Sequence, residues 1–486
     1  MIKHFLVYFV GNILMNGIGF LLIPVYLSRL SPSEYGVLEV INVCTDVIIT
    51  IFSAGIGIAS LSLFSKEVEE ENKKKVISTA VNTALGISSL GAILYILFSE
   101  DLNRYFFGVA ENLALFRIAG LLMMVQILCA VPMAYLLGRM ESKVYMLVSG
   151  LQSLVIMTLN IVAVVFLGMQ VKGILLANVI GNSIFAFALN IWTIKKVGCR
   201  FEKEYFKRLM AFGLPFIPGG LFGFVMNSAD RFFIQKFLGA SSVGIYALGY
   251  KLGTIVTLAI LAPFLKIWGP YMFKMDSEEG RRAGVGRYFL YVTSLYCIAG
   301  VFLSIFSREV ILIFGGSKFE EGWKIIPLVV LAFLFYTNAC FFDTAFYITR
   351  KTIYKPIIGG ATAGLIFGLY YYLIPLYGIL GGAYATAAAY GFFCLLTYVI
   401  GQSVYRIDYP LAKFGKVVVG GISAFGLSQV FHTEEFGLDL GLKGLWFVAY
   451  LLFMGFCGIV PKDEMQAGLN IFRNFFVRLQ ERRAEK

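Results

Sequence analysis

Charge is what this sequence has least of. Only 14% of its 486 residues are charged, against roughly a quarter in a soluble protein, while 59% are apolar and the mean hydropathy is +0.80. That apolar excess is too large for one aqueous core, so lipid must be the solvent for most of the chain. Histidine is scarcer still. His4 and His432 are the only two, both at or near predicted membrane boundaries, and they make no metal site. No Gly-x-x-x-x-Gly-Lys-Ser/Thr loop occurs, which excludes ATP as the energy source within this chain. The seven cysteines (Cys44, Cys129, Cys199, Cys297, Cys340, Cys394, Cys457) are odd in number and lack metal-ligand spacing. Free thiols are expected, not a disulfide framework. No catalytic constellation is present and no cofactor is implied. Long loops are missing too, which argues against a membrane-embedded glycosyltransferase or polymerase.

What the chain has is hydrophobic runs of spanning length. They fall at about 4–28, 36–63, 76–98, 113–137, 144–167, 173–194, 210–236, 243–265, 287–306, 322–348, 355–375, 379–400, 416–431 and 442–460. This is an all-α polytopic membrane protein with about fourteen transmembrane helices. The first run has no small-residue cleavage site and is read as a retained span rather than a signal peptide. The net charge of +12 is carried by short loops on alternate sides, including Lys73-Lys74-Lys75, Lys195-Lys196 and Arg281-Arg282. That is the positive-inside pattern, not a nucleic-acid surface, and it places both termini on the cytoplasmic side. Trp192, Trp268, Trp323 and Trp446 fall near span ends, where an indole prefers the interface. The tail at 461–486 alternates Phe472, Phe475 and Phe476 with Arg473, Arg478 and Arg482, and reads as an amphipathic helix on the inner leaflet.

The chain also contains a duplication. Leu30-Ser-Pro-Ser-Glu-Tyr-Gly-Val-Leu38 aligns with Leu238-Gly-Ala-Ser-Ser-Val-Gly-Ile-Tyr246 at an offset of 208, which sets span seven on span one. An even number of spans lies between the copies, so both halves enter the membrane in the same direction, a recurrent transporter design. The expected division is a first six-helix lobe at 1–208, a second at 209–402, two added spans at 403–460 and the tail. At Leu30-Ser-Pro-Ser-Glu-Tyr-Gly36, Phe212-Gly-Leu-Pro-Phe-Ile-Pro218, Asn227-Ser-Ala-Asp-Arg231 and Val243-Gly-Ile-Tyr246 the sequence resembles bacterial polysaccharide flippases. These belong to the multidrug/oligosaccharidyl-lipid/polysaccharide exporter superfamily. The resemblance covers nearly the whole chain, and its motifs mark the fold more than the substrate. It implies movement of an undecaprenyl-diphosphate-linked oligosaccharide from the inner to the outer leaflet. Lipid-linked oligosaccharide and membrane lipid are then the partners, together with other polysaccharide-assembly proteins.

Ionisable groups inside spans point to the working site, because each costs roughly 2.5–3.5 kcal/mol at a span centre. Glu39 and Asp46 are seven residues apart on one face of span two, and Lys251 in span eight aligns with position 43. The duplication therefore sets Lys251 between the depths of the two carboxylates, on the facing lobe. The trio is expected to line the cavity, either as a gate across the lobes or with Lys251 taking the diphosphate. In the second case Glu39 or Asp46 binds H⁺ or Na⁺ to power the cycle. Asp230 and Arg231 are also cavity candidates; being consecutive they are expected to point apart, part of the pair being structural and Arg231 reaching for the outer interface. Arg117 and Asp343 are further cavity candidates, as are Asn12 and Asn16, one turn apart in span one. Pro24, Pro215 and Pro218 are candidate hinges in the paired spans one and seven, and Pro263 and Pro327 interrupt spans eight and ten. Gly360, Gly364 and Gly368 in span eleven are expected to pack against Gly381, Ala385 and Ala389 in span twelve. The leading reading is a lipid-linked oligosaccharide flippase. A cation-coupled drug exporter would favour twelve spans and a more acidic or apolar cavity.

Overall fold

The computed structural model describes Phe20 and residues 22–108, 112–272, 278–433 and 435–457. Asn12, Asn16, most of span one and the tail at 461–486 lie outside the described residues. Within them the chain is helical, and thirteen helices are long and apolar enough to cross a membrane. They coincide one for one with predicted spans two to fourteen, from Pro32–Lys66 to Phe436–Phe456. The short, glycine-rich span thirteen is a full helix, Leu411–Val430. All seven cysteines are free.

The motif at residue 31 has a direct physical reading. Ser31 caps the helix Pro32–Phe52 by accepting from the Glu34 N–H (3.2 Å), and the Glu34 carboxylate accepts from the Ser31 N–H (2.8 Å). Pro32 sits in the first turn, where its missing donor costs nothing. Four residues further on, span two meets span eight at a backbone crossing that only glycine permits. A Cβ on Gly36 would lie 1.8 Å from the Ala240 carbonyl oxygen, and one on Gly244 would lie 2.0 Å from that of Pro32. Gly36 with Gly244, and Pro32 with Ala240, are pairs at the same offset of 208, so this contact is reciprocal. The close approach brings the backbones together without side chains between them.

Several spans are broken inside the bilayer. Span two pauses at Ser53–Gly55, where Ala54 (φ 43°) and Gly55 (φ 62°) are both left-handed. An alanine there stores strain that its surroundings must hold. The Ala54 carbonyl lies where a Cβ on Gly213 would stand, 2.1 Å away. Gly213 ends the first piece of span seven, Lys203–Gly213, and after Leu214 and Pro215 the span resumes as Phe216–Ser228. Packing changes at that proline. Tyr205 and Leu209 sit in an apolar cluster with Ile56, Val76, Ala80 and Tyr135 of the first half. Beyond the break, Met226 packs on Ala332 and Tyr390 of the second half. Pro218, by contrast, lies inside an unbroken helix.

Two expectations change. Pro327 does not interrupt span ten; it opens the helix Ile326–Phe342 in its first turn, following a 3₁₀ segment at Ser317–Lys324. Gly364 and Gly368 have no atom within 4 Å of a would-be Cβ, and Gly360 meets only Phe222. Span eleven turns Ile366 and Tyr370 inward instead, while Gly381 presses on the Leu373 carbonyl. Trp268, next to the last residue of the span Ala240–Gly269, is buried and stacked on Phe264.

Candidate functional site

Below the Gly36–Gly244 crossing the spans separate around a polar cavity of about 490 Å³. Glu39, Asn42 and Asp46 of span two face it, with Gln126 of span four and Asn178 and Asn182 of span six. Arg231 and Lys251 come from spans seven and eight. A second hollow of about 370 Å³ shares Glu39, Asn42, Asn178 and Lys251 and extends to Tyr26, Tyr35 and Thr254. The glycine crossing and Tyr35, which meets Phe319 edge-on, stand between these hollows and Ser31.

The two cations are held differently. Lys251 Nζ donates to Glu39 Oε1 (2.5 Å) and to the Tyr35 hydroxyl (3.0 Å), joining the two halves of the chain. Its side chain keeps 38% of its surface open to the cavity, and that of Glu39 keeps 6%. Arg231 Nη1 donates to Asp230 Oδ1 (2.6 Å) and to the Asn227 carbonyl (2.7 Å), and its guanidinium stacks 4.1 Å from the Tyr250 ring centroid. The Tyr246 hydroxyl donates to Asp230 Oδ2 (2.6 Å), and that of Tyr390 to Asn227 Oδ1 (2.8 Å). Asp46 is exposed to the cavity and makes no ion pair with another described residue.

Glu39, Asp46 and Lys251 are therefore brought together, and Arg231 joins them. Arg231 does not reach for an interface. The helix pauses for one residue at Ala229, and the long arginine curls back onto its own neighbour, so consecutive residues share one contact. Asp230 is fully buried behind Arg231 and does not line the cavity. Arg117 is exposed and away from it. Asp343 is also elsewhere, paired with Lys355 (2.7 Å).

The sequence reading passed over the amide wall. Asn178 Oδ1 accepts from Asn160 (3.3 Å), Asn182 Oδ1 accepts from Gln152 (3.0 Å), and Asn182 donates to the Asn178 carbonyl (2.7 Å). The available signal was Asn178 and Asn182 at i, i+4 in an otherwise apolar span.

Residues 26–324, which hold every charged group of this cavity, match the family model described as polysaccharide biosynthesis protein. The chain belongs to that family. A Shigella flexneri protein named as an O-antigen transporter is 25% identical over 325 residues, 64% of this chain and 76% of the relative. The succinoglycan biosynthesis transport protein ExoT of Rhizobium meliloti is 21% identical over 65% of this chain and 63% of its own length. Among solved structures, the lipid II flippase MurJ in an inward closed conformation superimposes with a TM-score of 0.69 at 16% identity, covering 93% of this chain and 98% of MurJ. An inward-facing multidrug resistance MATE transporter gives 0.67 at 15% identity, covering 81% and 94%. At such identities the likeness is one of fold: a multi-pass helical membrane protein built as these transporters are.

An apolar groove of about 240 Å³, only its span-nine wall within the matched residues, is lined by Tyr296, Leu331, Val418, Ile422, Phe425 and Tyr450 of spans nine, ten, thirteen and fourteen. Span fourteen is fixed beside it by Lys443, which donates to Glu309 (2.5 Å) and Asp439 (2.8 Å).

Proposed function

We propose that this protein moves an undecaprenyl-diphosphate-linked oligosaccharide from the inner to the outer leaflet of a bacterial cytoplasmic membrane, for surface polysaccharide assembly. The carrying observation is the Lys251–Glu39 pair, a half-open ion pair joining the two halves at the neck of a polar cavity. The attraction of a desolvated pair is largely offset by its lost hydration, so a competing anion exchanges into it at little net cost. Diphosphate oxygens take Lys251 from Glu39, and the freed Glu39 accepts H⁺ or Na⁺. The two halves then rock as lobes about the breaks at Ala54 and Pro215, and the Gly36–Gly244 crossing opens outward. The lipid tail, which cannot enter the polar cavity, lies in the apolar groove beside spans thirteen and fourteen. The names of the family and of its transporter relatives support this reading.

The test is the sidedness of the glycolipid after depletion of the protein, probed on intact spheroplasts with an impermeant lectin. Glycolipid that accumulates yet stays hidden until lysis is the expected result. Exposed glycolipid with unpolymerised short units would instead indicate a polymerase. Unchanged glycolipid with new drug sensitivity would indicate an exporter.

A further inference from the structure

Charge and hydrogen-bonding groups are unevenly spread around the cavity. Lys251 and Arg231 are the only cations lining it among the described residues, and each already holds a carboxylate. The rest of the polar lining is Asn42, Gln126, Asn178 and Asn182, and beside Glu39 its one carboxylate is Asp46. Residues 5–28, which include span one, contain no Asp, Glu, Lys or Arg, so that span adds no counter-charge.

We infer that the glycan accepted by this cavity is built of neutral or amino sugars and excludes acidic ones. This rests on the transport function proposed above. A diphosphate takes Lys251, the cation whose side chain is open to the cavity, which leaves the sugars to the amide wall. Amides donate to and accept from hydroxyls with no preference of charge. Asn160 and Gln152 hold Asn178 and Asn182 from behind, so these amides are oriented before a sugar arrives. A uronate carboxylate among these amides would give up its hydration and meet Asp46, with Lys251 already taken by the diphosphate. An ammonium on an amino sugar would find in Asp46 its counter-ion. Selection against acidic sugars thus comes from a repulsive element, placed where the attractive ones do not discriminate.

The full-length protein in proteoliposomes would be given two short polyprenyl-diphosphate oligosaccharides differing only in one glucose replaced by glucuronic acid. Binding and initial flipping rate are read with an impermeant lectin. The neutral glycolipid is expected to move about tenfold faster or more, since one uncompensated like-charge contact at low dielectric suffices for that ratio. Asp46→Lys should shrink or invert the ratio. Equal rates for both glycolipids in the wild-type protein would overturn the inference and leave the transport reading standing. Binding of neither would bring down the transport reading itself.

Discussion

Two ion pairs stand one helix apart in this molecule, and they differ in everything but charge. Asp230–Arg231 is sealed: the two side chains are 0% and 6% exposed, and Tyr246, Tyr250 and the Asn227 carbonyl complete their contacts. Glu39–Lys251 is open, with the lysine at 38% and one hydroxyl as its only other partner. The first pair joins neighbours in one span and the second joins the two halves of the chain. A buried charge whose contacts are all satisfied holds a fold, because nothing can replace its partner cheaply. A charge left partly open at a seam has room for a competitor. Burial and completeness of contacts, rather than charge in a span, separate the two roles.

The sharpest way to break that comparison is to cut the sealed pair. Arg231→Ala leaves Asp230 buried and uncompensated, which costs about 3–5 kcal/mol. Thermal unfolding of the purified protein in detergent, with its yield from membranes, should register that loss. Replacing both residues together, Asp230→Leu with Arg231→Met, should recover part of it. An Arg231→Ala protein that unfolds like wild type but transports nothing would move this pair from scaffold to machinery.

A smaller effect is expected at the seal above the open pair. Gly36→Leu forces a side chain into the Ala240 carbonyl, and overpacking of that kind costs about 1–3 kcal/mol. The strain is relieved by parting spans two and eight. An impermeant thiol reagent added from outside should then label a cysteine placed at Asn42, in a chain whose seven native cysteines are replaced. Wild-type protection in a well-folded Gly36→Leu protein would mean that this crossing is not the seal.

How much of this was legible in the sequence depended on the size of the physical signal. A span of some twenty apolar residues is a large signal, and spans two to fourteen stand where hydropathy put them. The trio Glu39, Asp46 and Lys251 was legible because intramembrane charges are rare and the duplication supplied a register. The amide wall was not, because Asn and Gln cost too little in a span to stand out from packing residues. Arg231 was misread because a continuous helix was assumed, and the pause at Ala229 leaves no mark in the local sequence. Likewise a glycine ladder such as Gly360–Gly364–Gly368 marks a face where a close contact is possible, and Ile366 and Tyr370 claim the core because they bury more apolar surface.

The open pair should show the smallest effect on stability and the largest on function. In Lys251→Ala the lysine that is lost was already partly solvated, and Glu39, though only 6% exposed, lies on the cavity. The stability loss should therefore be about 1 kcal/mol, the low end for a buried acceptor that loses its donor. Flipping, however, should fall to background in Lys251→Ala and in Glu39→Gln with Asp46→Asn, with normal insertion and expression. The two variants are distinguishable by substrate. Without Lys251 the diphosphate has lost its anchor, so binding of the glycolipid should weaken. Without the two carboxylates the anchor is free of its competitor, so binding should hold or tighten while turnover stops. Normal polymer output from well-expressed forms of both would remove this pair from the site and leave it, like Asp230–Arg231, a matter of folding.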